Sequence, residues 1–299
     1  MDGAVEVRLP YRAPCDVAGL VRFFSARAVP SVEQIDGDVY VRSVRLPGGS
    51  GVIALRPGAG GSDDDVVAKL WLHRPDDLDA AVATARRLLD LDTDPAPIVD
   101  ALSTDELIGK IVQSAPGRRV PGHTGADEIA IRAVLGQQVS LAGAATLAAR
   151  LVTAYGEPLE QPIGSVTHLF PSAAALAGAD PEQLAMPWSR RRALIGLAKA
   201  LADGDPVLDT GLMPQDEIER RLLALPGIGP WTVAYIAMRA LGDADAFMPT
   251  DLGVRHGLER LGHDGRPSSA DRIAERWRPY RAYATQHLWV QAASSPHTA

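Results

Sequence analysis

The sequence has only one cysteine, Cys15, in 299 residues. A single cysteine excludes an intramolecular disulfide and any zinc or iron–sulfur site built from several cysteines. We expect Cys15 to be a small buried hydrophobic residue. His, Asp and Glu show no spacing typical of metal ligands either, so we expect no metal bound by side chains.

Long apolar runs are also missing, because Arg, Asp or Gly interrupts each one well before the ~18 residues of a membrane helix. Residues 1–6 lack the basic start and apolar core of a secretion signal. The composition, 46% hydrophobic and 22% charged, is typical of a soluble chain with one large core or two ordinary cores. We therefore expect a cytoplasmic protein with no membrane partner.

The chain has no excess of basic residues, and its net charge is −7. The first 104 residues carry 11 Lys and Arg against 16 Asp and Glu, so five of the seven net negative charges lie there. Weak electrostatics argues against tight non-specific coating of nucleic acid. It does not exclude binding through backbone amides and a few arginines.

The pattern of apolar residues changes near 94–97, Asp-Pro-Ala-Pro. Before this joint, alternation and turn signals predict strands at 5–9, 39–46, 51–56 and 66–73, with helices at 15–28 and 78–91. After it, strand signals disappear. Helices are predicted at 98–113, 127–155, 189–202, 215–224, 231–241, 252–261, 269–277 and 281–292.

The most informative segment is Leu-Pro-Gly-Ile-Gly-Pro-Trp-Thr at 225–232, between two predicted helices. Gly227 and Gly229 can take positive φ, which permits a very tight turn, and Pro230 can open the second helix. The free N–H groups of that helix start can hold a phosphate without lysine. We expect Gly227, Ile228, Gly229 and Thr232 to bind DNA backbone, although an isolated Gly-x-Gly also serves as a simple connection between helices.

This hairpin, joined by Pro249-Thr250-Asp251 downstream, resembles the helix-hairpin-helix, Gly/Pro and Asp superfamily of DNA glycosylases. The order of elements before residue 97 resembles the N-terminal domain of AlkA-type 3-methyladenine DNA glycosylases. The resemblance implies an α+β N-terminal domain at 1–97, an all-α helix-hairpin-helix glycosylase domain at 98–292 and a tail at 293–299.

Asp251 could simply cap the helix that follows it. The resemblance implies instead that its carboxylate faces the flipped nucleotide, where it would stabilise an oxocarbenium-like sugar and orient the attacking water. Thr250 would then be the helix cap.

Trp231 stands where lyase-competent members of the superfamily have a lysine, and the last lysine of the chain is Lys199. Without that amine no Schiff base can form there, so we expect a monofunctional hydrolase.

The resemblance also implies roles for five further side chains. Trp231, Tyr235 and Trp289 would form aromatic walls for an extruded cationic base, with Gln137 lining the same pocket. Gln138 would fill the gap that base flipping leaves in the duplex.

Several charged residues have weaker signals. Arg239, Arg255 and His256 lie near the hairpin in sequence and could contact phosphate, but helix-surface arginines are usually only solvated. The cluster at 189–192, Ser-Arg-Arg-Arg, is a second basic candidate, and His287 reads as a packed or surface histidine.

The expected function is base excision of alkylated purines such as 3-methyladenine from damaged double-stranded DNA, by a monomer that is nucleoid-associated if bacterial. No cofactor is expected, although hairpin carbonyls in this superfamily can hold a monovalent cation. Two alternatives stay open: a glycosylase for another lesion, and a non-catalytic DNA-binding protein. The absent cysteines argue against the iron–sulfur branch, and Asp251 argues against a pure binding module.

Overall fold

The computed structural model describes residues 3–58, 64–208 and 211–293. The segment between the third and fourth predicted strands and the predicted tail fall largely outside these ranges. No helix in the described ranges is long and apolar enough to cross a membrane. The strands are β1 (Val5–Pro10), β2 (Glu33–Asp36), β3 (Val39–Leu46), β4 (Gly49–Pro57), β5 (Asp65–Leu72), β6 (Glu157–Ile163) and β7 (Val166–Leu169).

Thirteen α-helices lie in the same ranges. They are α1 (Val17–Ser25), α2 (Leu78–Leu88), α3 (Ala96–Leu102), α4 (Gly109–Ser114), α5 (Ala126–Leu135), α6 (Leu141–Tyr155), α7 (Ala173–Ala177), α8 (Trp188–Ala202), α9 (Gln215–Leu223), α10 (Pro230–Ile236), α11 (Leu252–Arg260), α12 (Pro267–Ala274) and α13 (Arg281–Ala293). The predicted α+β part followed by a helical part is confirmed.

The N-terminal part is a five-stranded antiparallel sheet in the order β1-β5-β4-β3-β2. The four predicted strands are present, the one at 39–46 with its predicted ends and the other three with ends shifted by one or two residues, and β2 was missed. One face of the sheet packs against α1 and α2 because their apolar residues recur at helical spacing. These include Leu20, Phe24, Ala81 and Leu88, all buried.

A hairpin from the second part of the chain covers the other face of the sheet. Strands β6 and β7 pair with each other, and their Leu159 and Val166 pack with Val41 and Val52 of the sheet. The Ser43 hydroxyl donates to the carbonyl of His168 at 2.7 Å. The expectation that strands disappear after residue 97 is therefore wrong at this hairpin.

The helical part has two hydrophobic cores. One is built mainly from α5, α6, α8 and α9, and the other from α3, α4 and α11 to α13. Helix α10 and the π-helical turn after it, Ala237–Leu241, lie between them, because Val233 and Ile236 face the first core and Met238 the second. The long cleft of the molecule opens along α10.

Two predicted helices are broken in the structure. The one at 98–113 is divided into α3 and α4, and in the turn between them Asp105 accepts a hydrogen bond from the Ile108 N–H. The one at 127–155 is divided into α5 and α6, with Gln138 in the left-handed region at φ 54° and Ser140 as the cap of α6. The break leaves Gln138 exposed at the tip of a loop.

Candidate active site

The hairpin between α9 and α10 uses its two glycines differently. Gly227 has φ 84°, and a Cβ there would lie 2.6 Å from the Cβ of Ala193 in α8, so only glycine fits. Gly229 is extended at φ −106°, and a Cβ there would meet nothing within 4 Å in the described structure. Of the two glycines that can take positive φ, only Gly227 does so, and Gly229 leaves an open approach to the turn.

Two predicted backbone-binding residues of the hairpin have buried side chains. Ile228 is 5% exposed and Thr232 is 1% exposed, so neither side chain can reach a phosphate. Pro230 opens α10, and no side chain caps this helix in the structure. Of its first-turn N–H groups, that of Val233 donates to the Gly229 carbonyl at 3.1 Å, whereas those of Trp231 and Thr232 have no helical carbonyl to bind.

Gln137 supports the hairpin from the α5–α6 loop. Its Nε2 donates to the Thr232 hydroxyl at 2.9 Å and to the Gly227 carbonyl at 3.1 Å. The residue lines the cleft as predicted for a pocket residue, but its amide is bound to the turn. Gln138 beside it is exposed at the mouth of the cleft, and its wedge role stays a prediction.

Asp251 caps α11, since its Oδ1 accepts from the Val254 N–H at 3.0 Å. The expectation that Thr250 is the cap is wrong, because the Asp251 carboxylate itself reaches the third N–H of the helix. The same carboxylate also accepts hydrogen bonds from two indole rings. The indole N–H of Trp289 donates to Asp251 Oδ1 at 2.7 Å, and that of Trp231 donates to Oδ2 at 2.9 Å. Three of the about four acceptor directions of a carboxylate are thus filled. The remaining one, on Oδ2, is available for a substrate or water.

The predicted aromatic residues come together around this carboxylate. Trp231 and Tyr235, one turn apart on α10, are stacked with ring centroids 5.4 Å apart. Tyr235 and Trp289 of α13 are 6.4 Å apart. All three rings are half-buried and line a cleft of about 1570 Å³ that also contains the hairpin and Asp251.

Two residues that the sequence did not indicate complete the pocket: Phe23, in α1, and Arg27, just after that helix. Phe23 stacks on Trp289 at 6.1 Å, and the Arg27 guanidinium lies 3.7 Å from the Phe23 centroid. Burial lowers the pKa of Arg27 to about 10, which leaves it protonated at neutral pH. The available signal was Phe23 itself, an aromatic residue outside the apolar face formed by Val17, Leu20 and Phe24.

A buried ion cluster joins this part of the N-terminal unit to α5. Arg132 donates to Glu33 at 3.0 Å, to Glu128 at 3.0 Å and to the Arg27 carbonyl at 2.6 Å. Arg42 bonds Glu128 at 2.7 Å. Burial raises the pKa of Glu33, but Arg132 and Arg42 more than offset this and hold it below its ordinary value. The cluster fixes Arg27 relative to the helix that leads to Gln138.

Two of the weaker candidates for phosphate contact are bound within the protein instead. Arg239 is 4% exposed and donates to the carbonyls of Pro121 and Gly122 and to the Tyr235 hydroxyl, so it supports the pocket from behind. Arg191, from the basic cluster, is bound to the carbonyls of Met186 and Pro181. His256 is exposed and lines the cleft.

Three other residues of the sequence analysis lie apart from this chemistry. Arg255 is half-buried outside the cleft lining. His287 is packed, and burial lowers its pKa to about 3. Cys15 is half-buried at the edge of the N-terminal core rather than fully buried, and this burial raises its pKa.

No group of three or more His, Cys, Asp or Glu that could hold a metal occurs among the described residues. The carbonyls of Leu225, Gly227 and Gly229 each accept one hydrogen bond within the protein. Each keeps a second lone pair, so the turn retains acceptor capacity for a cation.

Comparison with known proteins agrees with this geometry. Residues 6–125 match the family model of the AlkA N-terminal domain, and residues 131–281 match that of the HhH-GPD superfamily of base excision DNA repair proteins. A solved structure, 3-methyladenine DNA glycosylase from Archaeoglobus fulgidus, shares the fold with a TM-score of 0.81 at 21% identity. The likeness covers 96% of this chain and 98% of that one.

Two relatives are more similar in sequence. A probable bifunctional transcriptional activator/DNA repair enzyme AlkA of Mycobacterium tuberculosis is 46% identical over 96% of this chain, which spans only 57% of that relative. DNA-3-methyladenine glycosylase 2 of Escherichia coli is 34% identical over 97% of this chain and 99% of the relative. The chain therefore belongs to the HhH-GPD superfamily of base-excision DNA repair proteins.

Proposed function

We propose that this protein is a DNA glycosylase that hydrolyses the N-glycosidic bond of alkylated purines, such as 3-methyladenine, in damaged duplex DNA. The observation that carries the proposal is Asp251, held by two indole N–H groups inside an aromatic cleft beside the hairpin. The relatives named for DNA repair and for 3-methyladenine excision support the same activity.

The hairpin holds the DNA backbone in this mechanism. The N–H groups at the start of α10 would bind a phosphate, and the open side of Gly229 would let it approach the turn. Gln138 enters the duplex from the exposed loop between α5 and α6 and fills the space that the flipped nucleotide leaves. The base then enters the cleft lined by Trp231, Tyr235 and Trp289.

Base release needs little acid catalysis when the base is a cation. Alkylation at a ring nitrogen makes the purine a good leaving group, and an indole or phenol face attracts such a cation by about 0.5–2 kcal/mol. The bond from C1′ to the base nitrogen breaks and its electron pair leaves with the base. Asp251 stabilises the positive sugar through its free acceptor direction, and water adds to C1′ and loses a proton.

Hydrolysis without strand cleavage is part of the proposal. The chain has three lysines, Lys69, Lys110 and Lys199, and none of them lines the cleft. With Trp231 at the position of the lyase amine, no lysine can attack C1′ to form a Schiff base. Borohydride should therefore trap no covalent protein–DNA adduct, and a trapped adduct would contradict this part.

The central experiment incubates the protein with methylated duplex DNA and separates released bases by chromatography. The parental protein should release 3-methyladenine. Asp251→Asn should reduce the rate by about 10²–10³-fold while sparing DNA affinity, because asparagine still caps a helix but carries no charge. Asp180→Asn is a matched control, since Asp180 is an exposed cap outside the cleft.

The outcomes separate the alternatives. Release of a different base by the parental protein alone would indicate a glycosylase for another lesion. DNA binding without release of any base would indicate a binding module. Unchanged release by Asp251→Asn would remove Asp251 as the catalytic group.

Two further points belong to the proposal. The protein would act as a monomer, which light scattering with and without DNA tests. A monovalent cation would bind hairpin carbonyls, so replacing K⁺ by a large organic cation at equal ionic strength should weaken DNA binding.

A further inference from the structure

Gly253 is the second residue of α11, two positions after Asp251. It does not lie in the left-handed region, so its backbone conformation is open to any residue. A Cβ built there would nevertheless lie 2.5 Å from Cδ1 of Trp289, 3.0 Å from its Nε1 and 3.1 Å from Asp251 Oδ1. The position is therefore glycine for reasons of space.

The space is taken by the indole ring of Trp289, which two aromatic neighbours and one hydrogen bond hold in place. Trp289 is stacked on Phe23 at 6.1 Å and lies 6.4 Å from Tyr235. Its N–H donates to Asp251 Oδ1 at 2.7 Å. A side chain at 253 would thus displace the indole edge that holds the carboxylate.

Glycine weakens a helix relative to alanine, so its presence in the first turn of α11 has a cost. Gly196, in the middle of α8, provides the contrast because a Cβ there would meet no atom within 4 Å. Of these two helical glycines, only Gly253 has a neighbour so close that a side chain would collide with it.

We propose that Trp289 and Gly253 are positioning residues for Asp251: the indole N–H orients the carboxylate, and the missing side chain at 253 gives the indole access to it. Trp231 holds Oδ2 and the Val254 N–H holds Oδ1 from the helix. With Trp289 these donors fix the plane of the carboxylate and direct its free acceptor direction into the cleft. The inference deepens the proposed function and rests on it.

The first test needs no activity. The five tryptophans give five indole N–H resonances in a ¹H–¹⁵N spectrum. Asp251→Asn should shift the two that belong to Trp231 and Trp289. Gly253→Ala should shift that of Trp289 and leave those of Trp71 and Trp277, whereas Gly196→Ala should shift none of them. An unmoved Trp289 resonance in Gly253→Ala overturns the inference.

The second test measures single-turnover base release and DNA affinity separately. Gly253→Ala and Trp289→Phe should each slow release about tenfold or more, with affinity for an abasic-site duplex within about twofold of the parental value, because a hydrogen bond to a charged group is lost. Gly196→Ala should match the parental protein.

A double variant distinguishes positioning from general damage. Without the indole the two shortest contacts of the added Cβ are gone and only the one with Asp251 Oδ1 at 3.1 Å remains, so Gly253→Ala in a Trp289→Ala background should cause a much smaller loss of rate than in the parental background. The inference is overturned if the rate losses of the two single variants multiply in the double variant. It is also overturned if the rate of Gly253→Ala lies within about twofold of the parental rate. If the parental protein releases no base, the proposed function fails, and the resonance shifts still decide whether Trp289 and Gly253 position the Asp251 carboxylate.

Discussion

Replacing Glu33 by glutamine should strongly destabilise the protein. Glu33 is 5% exposed and accepts from the Val29 N–H at 2.7 Å, the Tyr40 hydroxyl and the guanidiniums of Arg132 and Arg42 at 3.0 and 3.5 Å. The variant leaves two buried guanidiniums with Glu128 as their only carboxylate in this cluster. Breaking a buried ion pair in this way costs about 3–5 kcal/mol.

That cost corresponds to a fall in Tm of about 6–10 °C, at roughly 2 °C per kcal/mol for a chain of this size. Differential scanning calorimetry at neutral pH measures it. Glu160→Gln is the control, because the Glu160 side chain is 71% exposed and its contact with His73 is a surface pair. Surface pairs contribute about 0–1 kcal/mol, so the control should lose no more than about 2 °C.

The destabilisation should also depend on pH. The folded pKa of Glu33 lies below its ordinary value of 4.5, so its contribution is fully present above that pH and is lost as the pH falls through the folded pKa. The difference in Tm between parental protein and variant should therefore shrink below about pH 4.5. A Tm loss at neutral pH no larger than that of Glu160→Gln would refute the structural reasoning.

Three further substitutions test the hairpin, the pocket and the loop. Gly227→Ala should destabilise the protein by about 1–3 kcal/mol through its left-handed φ and the contact with Ala193, whereas Gly229→Ala should keep stability and weaken DNA binding in fluorescence anisotropy. Equal thermal midpoints for these two variants would contradict their different roles. Phe23→Ala should slow base release about 3- to 30-fold, because it removes the ring on which both Trp289 and Arg27 lie; an unchanged single-turnover rate would exclude α1 from the pocket. Gln138→Gly keeps the positive φ and deletes the side chain, so it should slow base release about tenfold without lowering Tm, and parental rates would remove Gln138 as the wedge.

The centre of the site was predictable because its residues are close together in sequence or belong to one motif. Trp231 and Tyr235 share a helix face at a spacing of four, and the hairpin defined the position of Asp251. Its dual use as cap and candidate catalytic group was not predictable, since Thr250 and Asp251 are both good caps and only geometry decides between them.

The rest of the pocket depends on contacts between distant segments. Phe23 meets Trp289 across more than 260 residues of chain, and no local pattern records such a contact. Strand β6 was missed because its sequence, Glu-Pro-Leu-Glu-Gln-Pro-Ile, contains two prolines and little β-branched character. The break between α5 and α6 was missed because apolar residues recur at helical spacing both before it and after it.

The β6–β7 hairpin has a consequence for attempts to dissect the protein. It closes the outer face of a sheet that precedes it by about a hundred residues, so the two parts of the chain are interlocked rather than joined in series. A fragment ending near residue 97 would expose Val41, Val52 and Ala54 to water, next to the unpaired edge of β2, and such surfaces favour aggregation. Engineering that exchanges the sheet for that of another protein must therefore carry the hairpin with it.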